Sequence, residues 1–224
     1  MKNLCLLILS LFAFASNVTA QSIQQIDSLT MKMCDGLVEL SDIKPHLQIS
    51  IVFQKHLPGF FEKSKISSQQ AADSIADLIY FRMQKNCHRF REVLDKTEEN
   101  KSDWKTLTAK PESELSAKQL KKFFEGKNYY YKEFDGKIVN LEISPDSWSE
   151  TFEDNTTSKL ILHRLDNNEF ELEFVESNNK TRKNLSVAGE RYHYGVYAFN
   201  KGAYSVWVIS GEGAIYGFRL YPKK

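Results

Sequence analysis

Residues 128–221 constrain the fold of this 224-residue chain most strongly. They consist of short runs in which apolar and polar residues alternate, and turn-forming residues close each run, among them Asp135-Gly136 and Asn200-Lys201-Gly202. Alternation with a period of two is typical of a strand with one buried face, and it is sharpest from Phe170 to Phe174. Connections at intervals of about ten residues favour an up-and-down strand order. The sequence therefore predicts an antiparallel β-meander over residues 126–224.

Two forms of this β domain are open on the sequence. The meander closes as a small barrel, or it stays an open curved sheet against the helix that precedes it. In shape the barrel resembles the calycin-type β-barrels, and the resemblance is one of shape, because the sequence contains no motif of that family. With the helices described next, the fold class is α+β.

Residues 21–97 predict a small helical domain with three helices. The first carries apolar residues at steps of three and four, and the second begins near Pro45 and is expected to stop at Pro58-Gly59. The third is capped by Ser67 or Ser68 and is expected to run on beyond Phe90. The apolar positions of the first helix are Ile23, Ile26, Leu29, Met33, Leu37 and Leu40, and those of the third are Ile75, Ile79, Met83, Cys87, Phe90 and Leu94.

Cys34 and Cys87 are the two cysteines that follow residue 20. In an exported protein such a pair is most simply a disulfide bond, which here clamps the first helix against the third. A reactive or metal-binding pair is the alternative. It has less support, because there is no Cys-x-x-Cys spacing and only His88 stands beside either sulfur.

Residues 98–125 predict a linker followed by a short amphipathic helix. The stretch 98–113 is mostly polar, with Trp104 and Leu107 as its anchoring side chains. The helix over 114–125 carries Phe123 and Phe124, which are expected to pack on the sheet, and Gly126 is expected to end it in a left-handed conformation.

Residues 1–20 have the pattern of a secretory signal peptide. Lys2 precedes an apolar run from Leu4 to Ala15, and Val18-Thr19-Ala20 supplies the small-residue cleavage site. The run is shorter than the ~20 residues that span a bilayer, so no integral membrane segment is expected after cleavage. The sequence predicts export to a periplasm, a cell surface or the extracellular space.

Charge and motif content exclude several classes of function. The chain has 30 Lys and Arg and 29 Asp and Glu, and removal of the signal peptide takes only Lys2, leaving 29 of each sign interspersed. A nucleic-acid partner requires a concentrated basic face, so none is expected. The sequence contains no Gly-x-Ser-x-Gly, no His-Glu-x-x-His, no phosphate-binding loop and no calcium loop. Neither a cofactor nor a metal is expected.

The carboxyl-terminal third is rich in aromatic residues, and it supplies the candidate ligand site. Side chains alternate along a strand, so Tyr192 and Tyr194 share one face. One interpretation is that the helical domain covers this face. The other is a pocket for a small apolar or aromatic ligand, lined by Tyr192, Tyr194, Trp207 and Tyr216, with Arg191 or Arg219 as a polar anchor.

Three functional hypotheses follow, and each predicts a different structure. An exported, non-enzymatic binding module requires an internal cavity. A protein–protein interaction or assembly module of the envelope or cell surface requires a large exposed apolar patch. A hydrolase that uses His163 or His193 requires those side chains in one cleft beside a carboxylate.

Overall fold

The computed structural model describes residues 17–97, 99–211 and 213–223, with side chains from residue 23 onward. Most of the predicted signal peptide, residues 1–16, lies outside the described residues, and residues 17–20 belong to the first helix. Among the helices described, none combines the length and the apolarity that a membrane span requires.

Four helices form the amino-terminal part of the described chain. They are α1 (Asn17–Glu39), α2 (Pro45–Lys63), α3 (Gln69–Asn86) and α4 (His88–Thr97). The side chain of Ser68 accepts a hydrogen bond from the Ala71 backbone N–H, so the predicted cap of α3 is present. The apolar faces of the helices meet in one core, whose buried members include Ile26, Met33, Leu37, Val52, Ile79, Met83 and Phe90.

Two predicted helix ends are wrong. Pro58 lies inside α2, which continues to Lys63, because Leu57 and Phe60 on either side of the proline pack against the helical core. The third predicted helix is broken at Cys87, whose backbone is extended with φ −136° and ψ 106°. There are therefore four helices in this part of the chain where three were predicted.

The predicted disulfide between Cys34 and Cys87 is present, with the two Cα atoms 5.7 Å apart. It ties α1 to the corner between α3 and α4. Arg91 of α4 reaches back over this corner, where its Nη1 donates hydrogen bonds to the carbonyl oxygens of Gln84 and Lys85 at 2.8 and 3.0 Å. The break leaves carbonyl groups at the end of α3 without partners inside the helix, and the charged side chain of Arg91 donates hydrogen bonds to two of them.

The predicted meander is confirmed, and it closes as an eight-stranded antiparallel barrel. Strands β2 to β9 follow one another around the barrel in chain order, and β9 pairs with β2 to close it. The strand β1 pairs along the same edge of β9. The bounds are β1 (Lys105–Leu107), β2 (Asn128–Lys132), β3 (Ile138–Ile143), β4 (Ser147–Thr151), β5 (Thr157–Arg164), β6 (Glu169–Ser177), β7 (Arg191–Asn200), β8 (Ala203–Ile209) and β9 (Ile215–Pro222).

Helix α5 (Ala117–Glu125) closes one end of the barrel. Ser116 and Gln119 form a capping box at its start, and Phe123 and Phe124 enter the barrel core as predicted. Gly126 is not left-handed, since its φ is −67°. A glycine is needed there for a different reason, because a Cβ would lie 2.1 Å from the Tyr129 hydroxyl, which donates a hydrogen bond to the Phe123 carbonyl.

The segment predicted as a linker lies against the barrel. The Trp104 ring stacks on Phe218 with centroids 4.3 Å apart, and its Nε1 donates to the Lys132 carbonyl at 3.0 Å. The predicted anchors Trp104 and Leu107 account for this, because Leu107 belongs to β1 and pairs with Ile215 of β9. Helix α6 (Lys180–Leu185), between β6 and β7, lies at the end of the barrel opposite α5 and packs against α3.

Candidate functional site

A cavity of about 630 Å³ lies within the barrel, on the side where the helices α3 and α4 cover its open end. Its wall from the barrel is mostly aromatic and aliphatic, and its wall from the helices is mostly polar. The main barrel residues that line it are Trp104, Tyr131, Trp148, Leu160, Leu172, Tyr194, Val208 and Phe218, and the helix residues are Gln84, Lys85, Arg91, Leu94 and Asp95.

The rings of Trp148 and Tyr194, which line the cavity, both stack on the buried ring of Phe170. Phe170 of β6 lies 5.3 Å from Tyr194 of β7 and 5.9 Å from Trp148 of β4, with interplanar angles of 14° and 28°. On its other side, Phe170 contacts Phe123 and Phe124 of α5. The barrel is therefore filled by side chains at the α5 end and hollow at the end that faces α3 and α4.

The structure brings three of the six predicted ligand-site residues to this cavity: Tyr192, Tyr194 and Tyr216. Trp207 points outward from β8, since its neighbours Val206 and Val208 face the core, and its ring lies over Gly195 beside His193.

The two predicted polar anchors also lie outside the cavity. Arg191 is on the outer surface, where it pairs with Glu171 and Glu173. Arg219 is bonded to the Asn200 carbonyl at the α5 end of the barrel. Alternation along the strands explains these positions, because the neighbours of an inward-facing residue face outward.

The polar group at the barrel side of the cavity is one that sequence reasoning missed. Arg182 of α6 reaches into the barrel, where its Nη2 donates to the Tyr131 hydroxyl at 2.9 Å and to the Glu133 carboxylate, and its Nε lies 3.4 Å from Glu150 Oε2. Glu150 Oε1 accepts from the Tyr131 hydroxyl at 2.8 Å and from Trp148 Nε1 at 3.3 Å. We call Arg182, Glu133, Glu150 and Tyr131 the inner cluster.

The inward position of one member of the inner cluster could have been predicted from the sequence. Glu150 stands two residues after Trp148 in a strand, so both must share the inward face. Arg182 had none, because it lies in a short polar segment whose direction only the folded barrel fixes.

Burial and charge set the protonation of the inner cluster. Burial raises the pKa of the Tyr131 hydroxyl well above its usual value, so it stays a neutral donor. Burial alone would lower the pKa of Arg182, but the charges of Glu133 and Glu150 and the contact with Tyr131 outweigh it and raise that pKa. The guanidinium is thus held as a cation between two acidic side chains.

A second polar cluster lies where α3 meets the first residues of β7. Lys85 Nζ lies 2.5 Å from Glu190 Oε2, and the Tyr192 hydroxyl shares a 2.6 Å hydrogen bond with Ser186. Burial lowers the pKa of Lys85. For Glu190 burial acts in the opposite direction, yet hydrogen bonds from Lys85 and the Val187 backbone, with the charges of Lys85 and Arg82, lower its pKa.

Tyr194 presents an unbonded polar atom to the cavity. Its hydroxyl makes no hydrogen bond with any described residue, although the ring lines the cavity and packs on Phe170. Burial raises the pKa of this hydroxyl, so it remains protonated and able to donate. A molecule in the cavity would meet this group directly.

His163 and His193 do not meet in a cleft. His163 Nε2 lies 3.0 Å from Glu173 and His193 Nε2 lies 2.6 Å from Glu169, as two separate pairs on the outer face of the barrel. Over the described ranges, no group of three His, Cys, Asp or Glu side chains is placed to hold a metal ion.

The site as a whole is a mostly apolar cavity with two internally bonded polar clusters and the unbonded hydroxyl of Tyr194. That arrangement suits the binding of a small molecule by burial, with orientation set by few polar groups. No protein-family model, no curated protein and no solved structure matches this chain.

Proposed function

We propose that this chain is an exported, non-enzymatic binding protein whose barrel cavity holds a small, largely apolar or aromatic molecule. The observation that carries the proposal is the cavity of about 630 Å³, lined mainly by aromatic and aliphatic side chains. Small-molecule sites commonly have volumes of roughly 300–1,000 Å³ and apolar walls with a few placed polar groups.

The polar groups around the cavity support binding more than reaction. In both clusters the charged atoms are bonded to one another: Arg182 to Glu133 and Glu150, and Lys85 to Glu190. Groups held in this way orient a ligand and keep the cavity wall rigid. A catalytic base would instead need an open position beside a nucleophile or a water.

The helical part completes the site as well as supporting the barrel. Leu94 of α4 and Lys85 of α3 line the cavity from residues close to Cys87. The disulfide at that residue therefore fixes a wall of the site. This arrangement is compatible with both interpretations of the aromatic face, coverage by helices and a ligand pocket.

Export is proposed from two features. Residues 1–20 have the signal-peptide pattern, and the chain contains a Cys34–Cys87 disulfide. Disulfides persist mainly in oxidising compartments such as a periplasm or the extracellular space.

The two other hypotheses have less support among the described residues. The large exposed apolar side chains are spread over different elements, for example Met31 on α1, Leu47 on α2 and Ile138 on β3, and so favour no single docking surface. The hydrolase hypothesis depended on His163 and His193, which are hydrogen-bonded separately to Glu173 and Glu169 on the outer face of the barrel.

Titration of the mature protein with the neutral apolar dye N-phenyl-1-naphthylamine tests the proposal. We expect saturable binding of one dye per chain, with energy transfer from Trp148 and Trp104, since both line the cavity. Protein unfolded in urea is the control. A dye signal that rises without saturation, or equally with unfolded protein, would contradict the proposal.

A further inference from the structure

The inner cluster carries an excess of acidic groups. Arg182 is its one cation, while Glu133 and Glu150 are both carboxylates. The side chain of Glu150 is only 10% exposed, so water screens this excess poorly. A positive group placed here would balance the cluster, whereas an anion would face two carboxylates.

At the mouth of the cavity, the buried charged side chains do not show a comparable excess of one sign of charge. Lys85 is paired with Glu190, and Arg91 lies close enough to Asp95 for its charge to oppose the rise that burial causes in the pKa of that carboxyl. Lys105 adds a positive charge at the rim, but it is exposed to solvent. The strongest electrostatic preference is therefore set by the inner cluster.

The aromatic walls favour the same sign of charge. An aromatic ring attracts a cation to its face, and this attraction is strongest where water is excluded. Two rings of the cavity already hold cations of the protein: Lys85 Nζ lies 4.9 Å from the Tyr192 ring centre, and the Arg91 guanidinium lies 5.1 Å from that of Tyr216. The ring of Tyr194 also lines the cavity, and its hydroxyl lies within range of the charges of both Glu150 and Arg182.

We infer that the cavity selects molecules with a positively charged amino or ammonium group, which lies beside Glu150 and the Tyr194 ring while an apolar body fills the space toward Leu160 and Leu172. Arg182 does not reverse this preference, because its Nε and Nη2 are engaged by Glu150, Glu133 and Tyr131. The inference rests on the proposed function, since it specifies the ligand class of the same cavity.

Three ligands of equal chain length test the charge preference. Decyltrimethylammonium, decanol and decanoate each compete with bound N-phenyl-1-naphthylamine at pH 7. We expect the cation to displace the dye at a concentration about tenfold below that needed for decanoate, with decanol between them. Equal competition by all three, or tighter binding of decanoate, would overturn the inference while the dye itself still binds. Failure of the dye to bind would remove the proposed function as well.

A substitution that removes one negative charge tests whether the preference for a cation arises at the inner cluster. Glu150→Gln should weaken decyltrimethylammonium about tenfold and leave decanol unchanged, because the amide keeps the shape and one acceptor oxygen. Glu133→Gln, at the rim of the cluster, should act in the same direction and serves if Glu150→Gln does not fold. Glu176→Gln is the matched control, since Glu176 pairs with Lys159 at an exposed position of the barrel surface. An unchanged preference for the cation in the folded inner-cluster variant would refute the assigned position.

Discussion

Arg82 of α3 holds Asp27 of α1 through two parallel hydrogen bonds, from Nε to Oδ1 at 2.7 Å and from Nη2 to Oδ2 at 2.6 Å. Its Nη1 also donates to Glu190 Oε1 and to the Leu185 carbonyl, both at 3.0 Å. One guanidinium, 3% exposed, thus joins α1 and α3 to α6 and to the residue that precedes β7.

Replacement of Arg82 should therefore destabilise the whole protein. Arg82→Leu removes the cation that Asp27 and Glu190 share. Loss of one partner of a fully buried pair costs about 3–5 kcal/mol, and a loss near or below the lower figure is expected here, because both carboxylates are partly exposed and Glu190 keeps Lys85. Urea unfolding measures the change in the free energy of unfolding. Lys55→Leu removes the exposed pair with Glu39 and should change it by less than about 1 kcal/mol. Equal effects of the two substitutions would contradict this role of Arg82.

Glu190 should make stability depend on pH in the acid range. Its pKa is lowered in the folded protein from the ordinary value of 4.5, so its ionised form stabilises the fold above that pH. This contribution is lost as the pH falls through the lowered folded-state pKa. We expect Glu190→Gln to be less stable than wild type at pH 7 and to lose less on acidification to pH 3.5. Urea unfolding at both pH values checks the slope, and parallel losses in both proteins would argue against it.

The disulfide should stabilise both the fold and the cavity wall. Cys34 and Cys87 are 53 positions apart, and a loop of that size contributes about 4 kcal/mol by the chain-entropy argument. The double variant Cys34→Ser, Cys87→Ser should lose about that much and release N-phenyl-1-naphthylamine faster, because Lys85 and Arg91 flank Cys87. Reduced wild-type protein should match it. An unchanged release rate in stopped-flow fluorescence would show that the clamp does not control the site.

Gly195 is required by the ring of Trp207. A Cβ at residue 195 would lie 2.4 Å from ring carbons of Trp207, a side chain that is 1% exposed. Gly195→Ala should therefore cost about 2–3 kcal/mol through overpacking. Gly59 in α2 has no atom within 4 Å of such a Cβ, so Gly59→Ala should instead stabilise by up to about 1 kcal/mol. Thermal unfolding measures the midpoint temperature of each variant. Midpoints of Gly195→Ala and Gly59→Ala that both shift in the same direction would contradict this prediction.

The sequence was most informative where side-chain period and short turns act locally. The alternation through Phe170, Leu172 and Phe174 predicted the meander, and the helical stripes with Cys34 and Cys87 predicted a clamped bundle. The predicted break at Pro58 failed, because packing of the surrounding apolar residues outweighed a local signal. Barrel closure was left open, because the pairing of β9 with β2 joins residues about ninety positions apart in the chain.

The candidate site was predictable only in part, because contacts between elements that are distant in the chain also determine which side chains reach it. Tyr192 and Tyr194 were placed on one face by alternation, and the structure puts both at the cavity. Arg191 was predicted as an anchor of the same pocket as Tyr192, but the two are adjacent in a strand, and adjacent side chains face opposite sides of a sheet. Arg182 came to the cavity through the direction of α6, a tertiary feature with no local pattern.

Blocking the cavity tests its role as the binding site most directly. Leu160 of β5 lines the cavity, while its neighbour Ile161 points outward and is 39% exposed. Leu160→Trp fills the space with a large ring, and Ile161→Trp adds the same ring to the surface. With both variants folded by circular dichroism, we predict that Leu160→Trp weakens N-phenyl-1-naphthylamine binding at least about tenfold and that Ile161→Trp leaves it unchanged. Dye binding that is equally strong in the two variants would contradict a ligand site inside the barrel.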